Sequence, residues 1–386
     1  MLQHLPLVVK NTIRNKRRTI LTLVSVAVSL CLLGTLMALY RSFFYSETLE
    51  HQAHRLIVRN KISLANPLRL SYLPLIRKVP GVQEATLYQF FAGSYKDDTP
   101  SESFARFAVE PERLFRIFPE FRLSEAEKKA FARERTAAIV GVKTARALNM
   151  KLGDRVTLRG DLFPINLDLI IRGIFQAGTA DDESMYFHYD YLNESLAPGE
   201  RDTVGAFIVR MDSPESANAV IRGIDDQFRN APLQSKTETE KAFQLSFLAM
   251  LGNVKAFLLS ICAAVTFTIL LVTGNTMAMA VRERIREVGV LKTLGFTPAV
   301  ILGLLVCEAL VISLVGGVLG MGLAVLACAT LRSGPSFGVD LSQLVVAPSV
   351  VAIGLGVSLV IGFISSLIPA YTASRRPILE SLRLGN

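Results

Sequence analysis

Four long apolar runs, separated by polar segments, set the pattern of this chain. They cover residues 20–41, 253–281, 299–331 and 345–371. A helix needs about 20 apolar residues to cross a bilayer, and each run is long enough. The gap between the first two runs holds more than two hundred residues, whereas the other gaps hold fewer than twenty each. The pattern predicts a membrane protein with one span, a large polar domain and then three spans.

The polar segment 42–252 predicts a folded α+β domain rather than a linker. Residues 138–140 form a short apolar run typical of a strand, and residues 141–149 have helical spacing. Residues 155–159 alternate like a half-buried strand. Two further β-rich runs cover 167–175 and 203–211. Strand and helix signals therefore alternate through the segment without low-complexity sequence.

The two ends of this domain have a different pattern. Phe43–Val58 continues directly from the first span, and Thr237–Gly252 leads directly into the second. Both segments mix apolar and polar residues and are predicted to be helical. Two hypotheses remain open for them: stalk helices that couple membrane movement to the domain, or juxtamembrane helices that only support it.

The distribution of charge predicts the orientation. Residues 1–19, 282–298 and 372–386 together hold 12 Lys or Arg and 3 Asp or Glu, whereas the rest of the chain holds 30 of each. Basic residues favour the cytoplasmic side of a membrane protein. Both termini and the 282–298 segment are therefore predicted to be cytoplasmic, and segments 42–252 and 332–344 extracytoplasmic.

Composition agrees with this topology. The chain is 51% hydrophobic and only 19% charged, where a soluble protein carries about 25%. The whole net charge of +9 lies in the three predicted cytoplasmic segments, so the basic balance gives no support to nucleic-acid binding. Residues 1–19 allow two interpretations: a basic amphipathic helix on anionic lipid, or a plain basic flank.

Neither the cysteines nor the histidines predict a metal or catalytic site. All four cysteines lie in apolar runs, where buried small hydrophobes are expected; they are Cys31, Cys262, Cys307 and Cys328. The acidic group Asp181–Glu183 with His188 is interpreted as a polar loop, and His51 with His54 as a solvated helix face. No pattern of catalytic residues is found, so we expect a non-catalytic chain.

Three motifs carry a resemblance to a known family. Residues 139–154, with a Leu-Gly-Asp turn at 152–154, look like the periplasmic core domain of MacB-type transporters, and so does the following strand 171–175. Residues 282–296 resemble the cytoplasmic segment after the second span of FtsX-like permeases. Residues 368–377 look like that family's closing motif.

The resemblance implies the permease subunit of an ABC transporter in the bacterial cytoplasmic (inner) membrane. MacB itself has an ATPase domain in the same chain, but here about nineteen residues precede the first span, so we expect the ATPase to be a separate polypeptide. The sequence also lacks a Gly-x-x-x-x-Gly-Lys-[Ser/Thr] loop. We therefore expect this chain to bind no cofactor, and its partner ATPase to use ATP and Mg²⁺. Further expected partners are a second permease subunit, identical or different, a periplasmic adaptor or membrane-fusion protein, and membrane lipid.

In the family, the segment corresponding to 282–298 contacts the ATPase. Its pattern also suits a short amphipathic helix that docks in a partner's groove, with Val288, Leu291 and Leu294 spaced by three. The alternative is a simple cytoplasmic turn. The candidate coupling residues are Arg282, Arg284, Arg286, Glu287, Gly289, Leu291, Leu294, Gly295 and Phe296.

Two features of the third run are further candidates. Glu308 is its only charge, and a charge inside a membrane is costly enough to suggest a role. It either bonds across helices, to an arginine of the cytoplasmic segment for example, or lies near the interface. Gly316, Gly317 and Gly320 are interpreted as a small-residue face for close helix packing.

The leading functional hypothesis is mechanical transmission. ATP hydrolysis inside the cell would move the four helices and, through them, the outer domain, for export or extraction of an amphiphile, peptide or lipoprotein. The alternative is an FtsX-like signalling complex, in which the same motion activates an extracytoplasmic partner such as a cell-wall hydrolase.

Overall fold

The computed structural model describes residues 16–45, 50–96, 104–161, 163–250, 252–333 and 344–377. Within them the chain divides into two compact units. The helical unit comprises the described residues of 16–45, 253–333 and 344–377. The α/β unit comprises the described residues of 50–252. The predicted amphipathic segment 1–19 lies almost wholly outside the described residues, as does most of the predicted loop 332–344 and of the tail.

The helices, in chain order, are α1 Lys16–Tyr45, α2 Glu50–Ala53, α3 Leu73–Ile76, α4 Pro111–Ile117, α5 Glu125–Arg133, α6 Val142–Ala147, α7 Tyr189–Ser195, α8 Ala217–Gln227, α9 Glu240–Met250, α10 Val254–Glu283, α11 Ile285–Thr293, α12 Pro298–Ser333 and α13 Pro348–Arg375. The strands are β1 Arg55–Asn60, β2 Leu68–Arg69, β3 Val82–Phe90, β4 Gly93–Tyr95, β5 Ala105–Val109, β6 Ala137–Gly141, β7 Arg155–Gly160, β8 Asn166–Phe175, β9 Ser184–His188, β10 Thr203–Val204, β11 Ala206–Met211 and β12 Ser235–Thr239.

In the described part of the chain, four helices are long and apolar enough to cross a membrane: α1, α10, α12 and α13. The predicted fold class, with one span before the polar domain and three after it, is confirmed. Each helix continues past the C-terminal end of its predicted apolar run, by two to four residues. Helix α12 packs against α1 and α13, and α10 packs against α13 and α1.

Glycines bring these helices close together. A Cβ atom at Gly316 would lie 2.8 Å from Val26 of α1, and one at Gly320 would lie 2.6 Å from the carbonyl oxygen of Ala27. Gly317 faces α13 instead, where a Cβ would lie 2.8 Å from the Ser358 hydroxyl. Because Gly316 and Gly320 are one turn apart, they share the α1 face. Lipid supplies no hydrophobic drive between helices, so association depends on such close backbone approach.

The α/β unit is built on a mixed sheet. Among the described residues ten strands follow the order β12-β1-β11-β3-β5-β9-β6-β8-β7-β4. The pairs β5–β9 and β6–β8 are parallel, and the other neighbours are antiparallel. Strand β6 lies in the centre of the apolar packing: Ala138 and Val140 enter one apolar cluster, whereas Ala137 and Ile139 enter the other. Side chains alternate between the faces of a strand, so both faces of this sheet are covered.

The predicted helices at the ends of this domain are partly wrong. Helix α1 ends at Tyr45, and the following segment becomes strand β1 at Arg55 instead of continuing as a helix to Val58. Leu56 and Val58 are fully buried, whereas Ile57 and Arg59 are half-buried, which is the alternation of a strand. Strand β1 pairs with β11 on one side and β12 on the other. The same pairing makes residues 235–239 a strand and leaves only α9 as a helix.

We expect His188 to make the α/β unit less stable in acid. Its ring Nε2 lies 2.5 Å from the Phe131 carbonyl oxygen, and burial, only partly offset by that bond, lowers the pKa of His188 below its ordinary value of 6.5. The unfolded chain therefore takes up a proton that the folded chain resists, and the free energy of unfolding falls as the pH drops below 6.5. Pulse proteolysis of the full chain between pH 7.5 and 5.5 measures this.

The variant His188→Gln should lose this component of the pH dependence, whereas His51→Gln, at an exposed position, should retain it. Identical pH profiles for His188→Gln and the unaltered protein would show that His188 makes no such contribution.

Candidate functional site

A short helix, α11, lies between the second and third long helices. Helix α10 ends at Glu283, and Arg284 adopts φ −102° and ψ 8°, which turns the chain before α11 begins at Ile285. At the other end Gly295 has φ +90°, a conformation that suits glycine. The Phe296 amide donates to the Leu291 carbonyl and the Gly295 amide to the Lys292 carbonyl, each at 3.1 Å. These two bonds form a Schellman motif, so Gly295 closes the helix.

One side of α11 faces the helical unit and the other faces outward. Val288 is 3% exposed and Gly289 is also buried. On the outer side Arg286 is exposed, Val290 is 46% exposed and Leu294 is 70% exposed. These three residues are spaced by four and share one helix face. We call Arg286, Val290 and Leu294 the outer stripe.

The outer stripe differs from the predicted docking face. The spacing of Val288, Leu291 and Leu294 predicts a shared docking face, but Val288 packs within the chain and Leu291 is half-buried. The predicted coupling residues do not include Val290, although its spacing of four from Arg286 and from Leu294 is visible in the sequence. The remaining candidates are arranged as follows: Arg282 is exposed, and Glu287 and Phe296 are half-buried.

An ion pair joins the start of α11 to α12. Arg284 Nη1 donates to Glu308 Oε2, and the two side chains are only 12% and 11% exposed. Burial of two charges is tolerated when they are paired and hydrogen-bonded to each other. Arg284 therefore faces inward, toward Glu308, and is not part of the outer stripe.

Threonines surround this ion pair. Thr19 and Thr22 of α1 and Thr276 of α10 line a small cavity together with Arg284 and Glu308. The cavity holds about 20 Å³, which is room for roughly one water molecule. The ion pair thus lies where α1, α10 and α12 converge.

A second contact ties α11 to the end of the fourth long helix. Lys292 Nζ donates to the carbonyl oxygen of Arg376, directly after α13. Close by in sequence, the Arg375 guanidinium lies 5.4 Å from the centre of the Tyr371 ring. Helix α11 is therefore connected to α10 through the chain, to α12 through Arg284 and to α13 through Lys292. A force applied to the outer stripe would reach three of the four long helices.

The acidic group of the α/β unit has structural partners. Asp182 accepts hydrogen bonds from the amides of Ala177 at 2.6 Å and Gly178 at 3.0 Å. Glu183 forms an ion pair with Lys143 at 3.0 Å. Over the residues that the structure describes, no group of three His, Cys, Asp or Glu side chains is placed to hold a metal ion.

Comparisons with known proteins cover both units. Residues 19–227, more than half of the chain, match the model of the MacB-like periplasmic core domain. Residues 259–378 match the model of the FtsX-like permease C-terminal region. The second match includes the whole of α11, Glu308 and the three packing glycines.

Individual relatives show the same similarity. The uncharacterized ABC transporter permease YknZ of Bacillus subtilis is 26% identical over 64% of this chain, and the alignment covers 61% of YknZ, less than two thirds of its length. The pyoverdine export ATP-binding/permease protein PvdT of Pseudomonas syringae pv. tomato is 29% identical over 65% of this chain and 38% of PvdT. The crystal structure of the periplasmic region of MacB from Actinobacillus actinomycetemcomitans aligns with a TM-score of 0.39 and 10% identity, over 52% of this chain and 98% of that one.

We expect the Arg284–Glu308 pair to act as a coupled unit in stability. Glu308→Met removes the carboxylate that Arg284 binds, and loss of one partner of a buried pair costs about 3–5 kcal/mol. The variant that replaces both residues by Met should be more stable than Glu308→Met alone, since no buried charge then lacks that partner. Unfolding of the purified protein in mixed micelles of increasing SDS content measures the loss of stability in Glu308→Met, in Arg284→Met and in the double variant. If the double variant loses the sum of the two single losses, the residues act independently.

Proposed function

Because this chain belongs to the MacB-type, FtsX-like family of ABC transporter permeases, we propose that it transmits mechanical force from a partner ATPase. A separate ATPase subunit binds ATP and Mg²⁺ and docks on the outer stripe of α11. Its cycle moves the long helices and, through them, the α/β unit that matches the periplasmic core domain. The permease itself is non-catalytic.

The observation that most directly supports this proposal is the contrast between the two sides of α11. Val290 and Leu294 are exposed apolar residues beside Arg286, as is typical of a helix that docks in a groove. On the inner side the helix is bonded to α12 and to the end of α13. A helix that is exposed outside and fastened inside is suited to receive force from a partner.

The charge asymmetry supports the orientation that docking requires. The excess of basic residues in segments 1–19, 282–298 and 372–386 supports a cytoplasmic position for α11 and both termini, because basic residues favour that side of a membrane protein. The ATPase is then on the same side as its ATP.

The names of several relatives support a role in export. PvdT is named for pyoverdine export, and matched MacB proteins are named for macrolide export. An amphiphile, peptide or lipoprotein is the cargo class we propose, moved from the membrane or from the extracytoplasmic side. A periplasmic adaptor is a further partner in such a system.

The proposal includes a second permease subunit, which covers one face of α10. The outward residues of the other long helices are mostly large and aliphatic, such as Val318 on α12 and Val360 on α13. Helix α10 also exposes large residues, among them Phe257, Phe267 and Leu271, but small or polar residues lie between them at helical spacing; these are Ala256, Ser260, Ala263, Ala264, Thr268 and Asn275. Small residues let helix backbones approach, and polar ones bond across membrane interfaces. This face is better suited to another helix than to lipid.

Negative charge on the outer stripe should strongly weaken ATPase binding. In the variant with Val290→Asp and Leu294→Asp, two carboxylates would have to be desolvated inside the proposed groove, so we expect a loss of affinity of about a hundredfold or more. Co-purification with the cognate ATPase, followed by titration, measures this loss. Leu152→Asp is the matched control, because Leu152 is 56% exposed in the α/β unit.

Unchanged ATPase binding by the double variant would contradict docking at α11. With the intact complex in proteoliposomes, cargo-stimulated ATP hydrolysis and ATP-dependent movement of that cargo support export. ATP hydrolysis that responds to no amphiphile, peptide or lipoprotein but activates an added cell-wall hydrolase would support the signalling alternative instead.

Cross-linking should detect the α10 interface. In a chain whose four cysteines are replaced, Ser260→Cys or Ala264→Cys should give disulfide-linked dimers on mild oxidation in membranes, because the small-residue faces of two copies would meet there. Val318→Cys, 57% exposed on α12, is the control that should stay monomeric. Equal cross-linking at all three positions would indicate random collision rather than this interface, and a heterodimer would require the two cysteines in different subunits.

A further inference from the structure

The outward face of α13 changes in character toward the end of the helix. Ile364 and Ile368 are large apolar residues that are 49% and 74% exposed, and Tyr371 is 50% exposed. Arg375, the last residue of α13, is exposed as well. Because these four residues are spaced by three or four, they share one helix face. Along this face an apolar surface is followed by an aromatic ring and then by a cation.

The guanidinium of Arg375 lies close to the aromatic ring. Its Cζ is 5.4 Å from the centre of the Tyr371 ring, which is within the range of a cation–π interaction. Tyrosine side chains in membrane proteins are enriched at the level of the lipid headgroups, where an apolar layer meets water. Arg375 and Tyr371 therefore lie where the apolar face of α13 ends, which is the level of the lipid phosphates.

A lysine of α11 is bound at the same place. Arg376 directly follows α13 and precedes Pro377, and a residue before proline favours an extended conformation; Arg376 has φ −61° and ψ 142°. Its carbonyl oxygen accepts a hydrogen bond from Lys292 Nζ. An ammonium group has three N–H donors, and this bond uses one of them. Two donors of Lys292 are thus available to a ligand beside Arg376.

These three cations are not balanced by acids. Among the described residues, Lys292, Arg375 and Arg376 form no ion pair with a carboxylate, whereas Arg284 at the other end of α11 is paired with Glu308. Lys292 and Arg376 are also half-buried, so water screens their charges incompletely. Like charges that lie together repel one another, and a bound anion would remove this repulsion.

An anionic phospholipid combines the chemical groups that this surface accommodates. Its phosphate accepts charge-assisted hydrogen bonds from guanidinium and ammonium groups, and its acyl chains cover apolar side chains. A water-soluble anion would leave Ile364 and Ile368 uncovered. A zwitterionic lipid would bring a cation of its own close to the three that are already present. The charge and the apolar surface together therefore favour an anionic phospholipid over either alternative.

We propose that Lys292, Arg375 and Arg376 bind the phosphate of an anionic phospholipid, one acyl chain of which lies along Ile364 and Ile368. We call these five residues the lipid site. The inference goes beyond the proposed function, because it requires neither an ATPase nor a cargo and holds for either orientation of the chain. Since Lys292 belongs to α11 and Arg375 to α13, the bound phosphate would also join these two helices.

Native mass spectrometry of the full chain, purified in dodecyl maltoside without ATPase, tests the lipid site. After removal of bound lipid, the chain should bind one dioleoylphosphatidylglycerol at least about tenfold more tightly than dioleoylphosphatidylcholine, because only the former carries a net negative charge. The variant with Arg375→Gln and Arg376→Gln should bind that phosphatidylglycerol about tenfold more weakly or worse, since it loses two charged donors to the phosphate.

The matched control is the variant with Arg282→Gln and Arg286→Gln. It removes the same charge from two exposed positions on either side of Arg284, and it should change the affinity for phosphatidylglycerol less than about twofold. Gel filtration reports whether each variant is folded. If the double variant of the lipid site aggregates, Arg375→Gln alone, at an exposed position, should still weaken binding about threefold.

Three results would each overturn the proposal. These are equal phosphatidylglycerol binding by the lipid-site variant and the control, equal affinity for phosphatidylcholine, and displacement of the lipid by millimolar inorganic phosphate. Unaltered lipid binding by the lipid-site variant together with loss of ATPase binding would assign the three cations to an acidic surface of the ATPase instead.

Discussion

A charge placed within a membrane helix must find a partner, and the arrangement of the helical unit depends on how this chain meets that requirement. Glu308 lies on the third long helix, and the arginine that pairs with it, Arg284, lies at the break between α10 and α11. The pair fixes where the chain turns after the second long helix. It also decides which side of α11 faces inward, because Arg284 precedes that helix by one residue. The outer stripe is the consequence on the opposite side.

Packing of the long helices follows from the same environment. Lipid chains are as apolar as the side chains of the helices, so close contact and not water exclusion determines which helices associate. Gly316 and Gly320 admit α1, and Gly317 admits α13. One short glycine-rich segment of α12 therefore holds two neighbours. Helix α10 has less of its surface buried within the chain than the other long helices.

The α/β unit also buries charge, in this case inside a folded polar domain. Glu120, Glu240 and Asp181 lie near a single buried arginine, and Asp181 accepts a hydrogen bond from Tyr186 at 2.6 Å. Arg55 donates to both Glu120 and Glu240, so one cation serves two of these carboxylates, and Asp181 is satisfied by hydroxyl donors instead.

Properties that depend on local composition could be predicted from the sequence. The four spans, the intervening α+β domain and the family were correct, because apolar runs, strand alternation and short motifs are all readable over ten to thirty residues. The sequence also predicted a short helix in segment 282–298, where the structure has α11. The exposed side of that helix could not be predicted, because the helical spacing of Val288, Leu291 and Leu294 does not say which neighbours cover them.

The tertiary structure alone decided the contacts between residues far apart in the chain. Arg284 could have been one more exposed arginine of a basic loop, and only the packing of α10 on α12 places it against Glu308. The sequence pattern predicts a helix over residues 43–58, but strand β1 lies between β11 and β12, which begin 146 or more residues later in the chain. Arg55 gave no signal in the sequence, since its meaning comes from Glu120 and Glu240, which only the fold brings together. Local sequence patterns therefore determined the membrane spans, the α+β domain and the family of this protein, and long-range packing determined which of its residues contact one another.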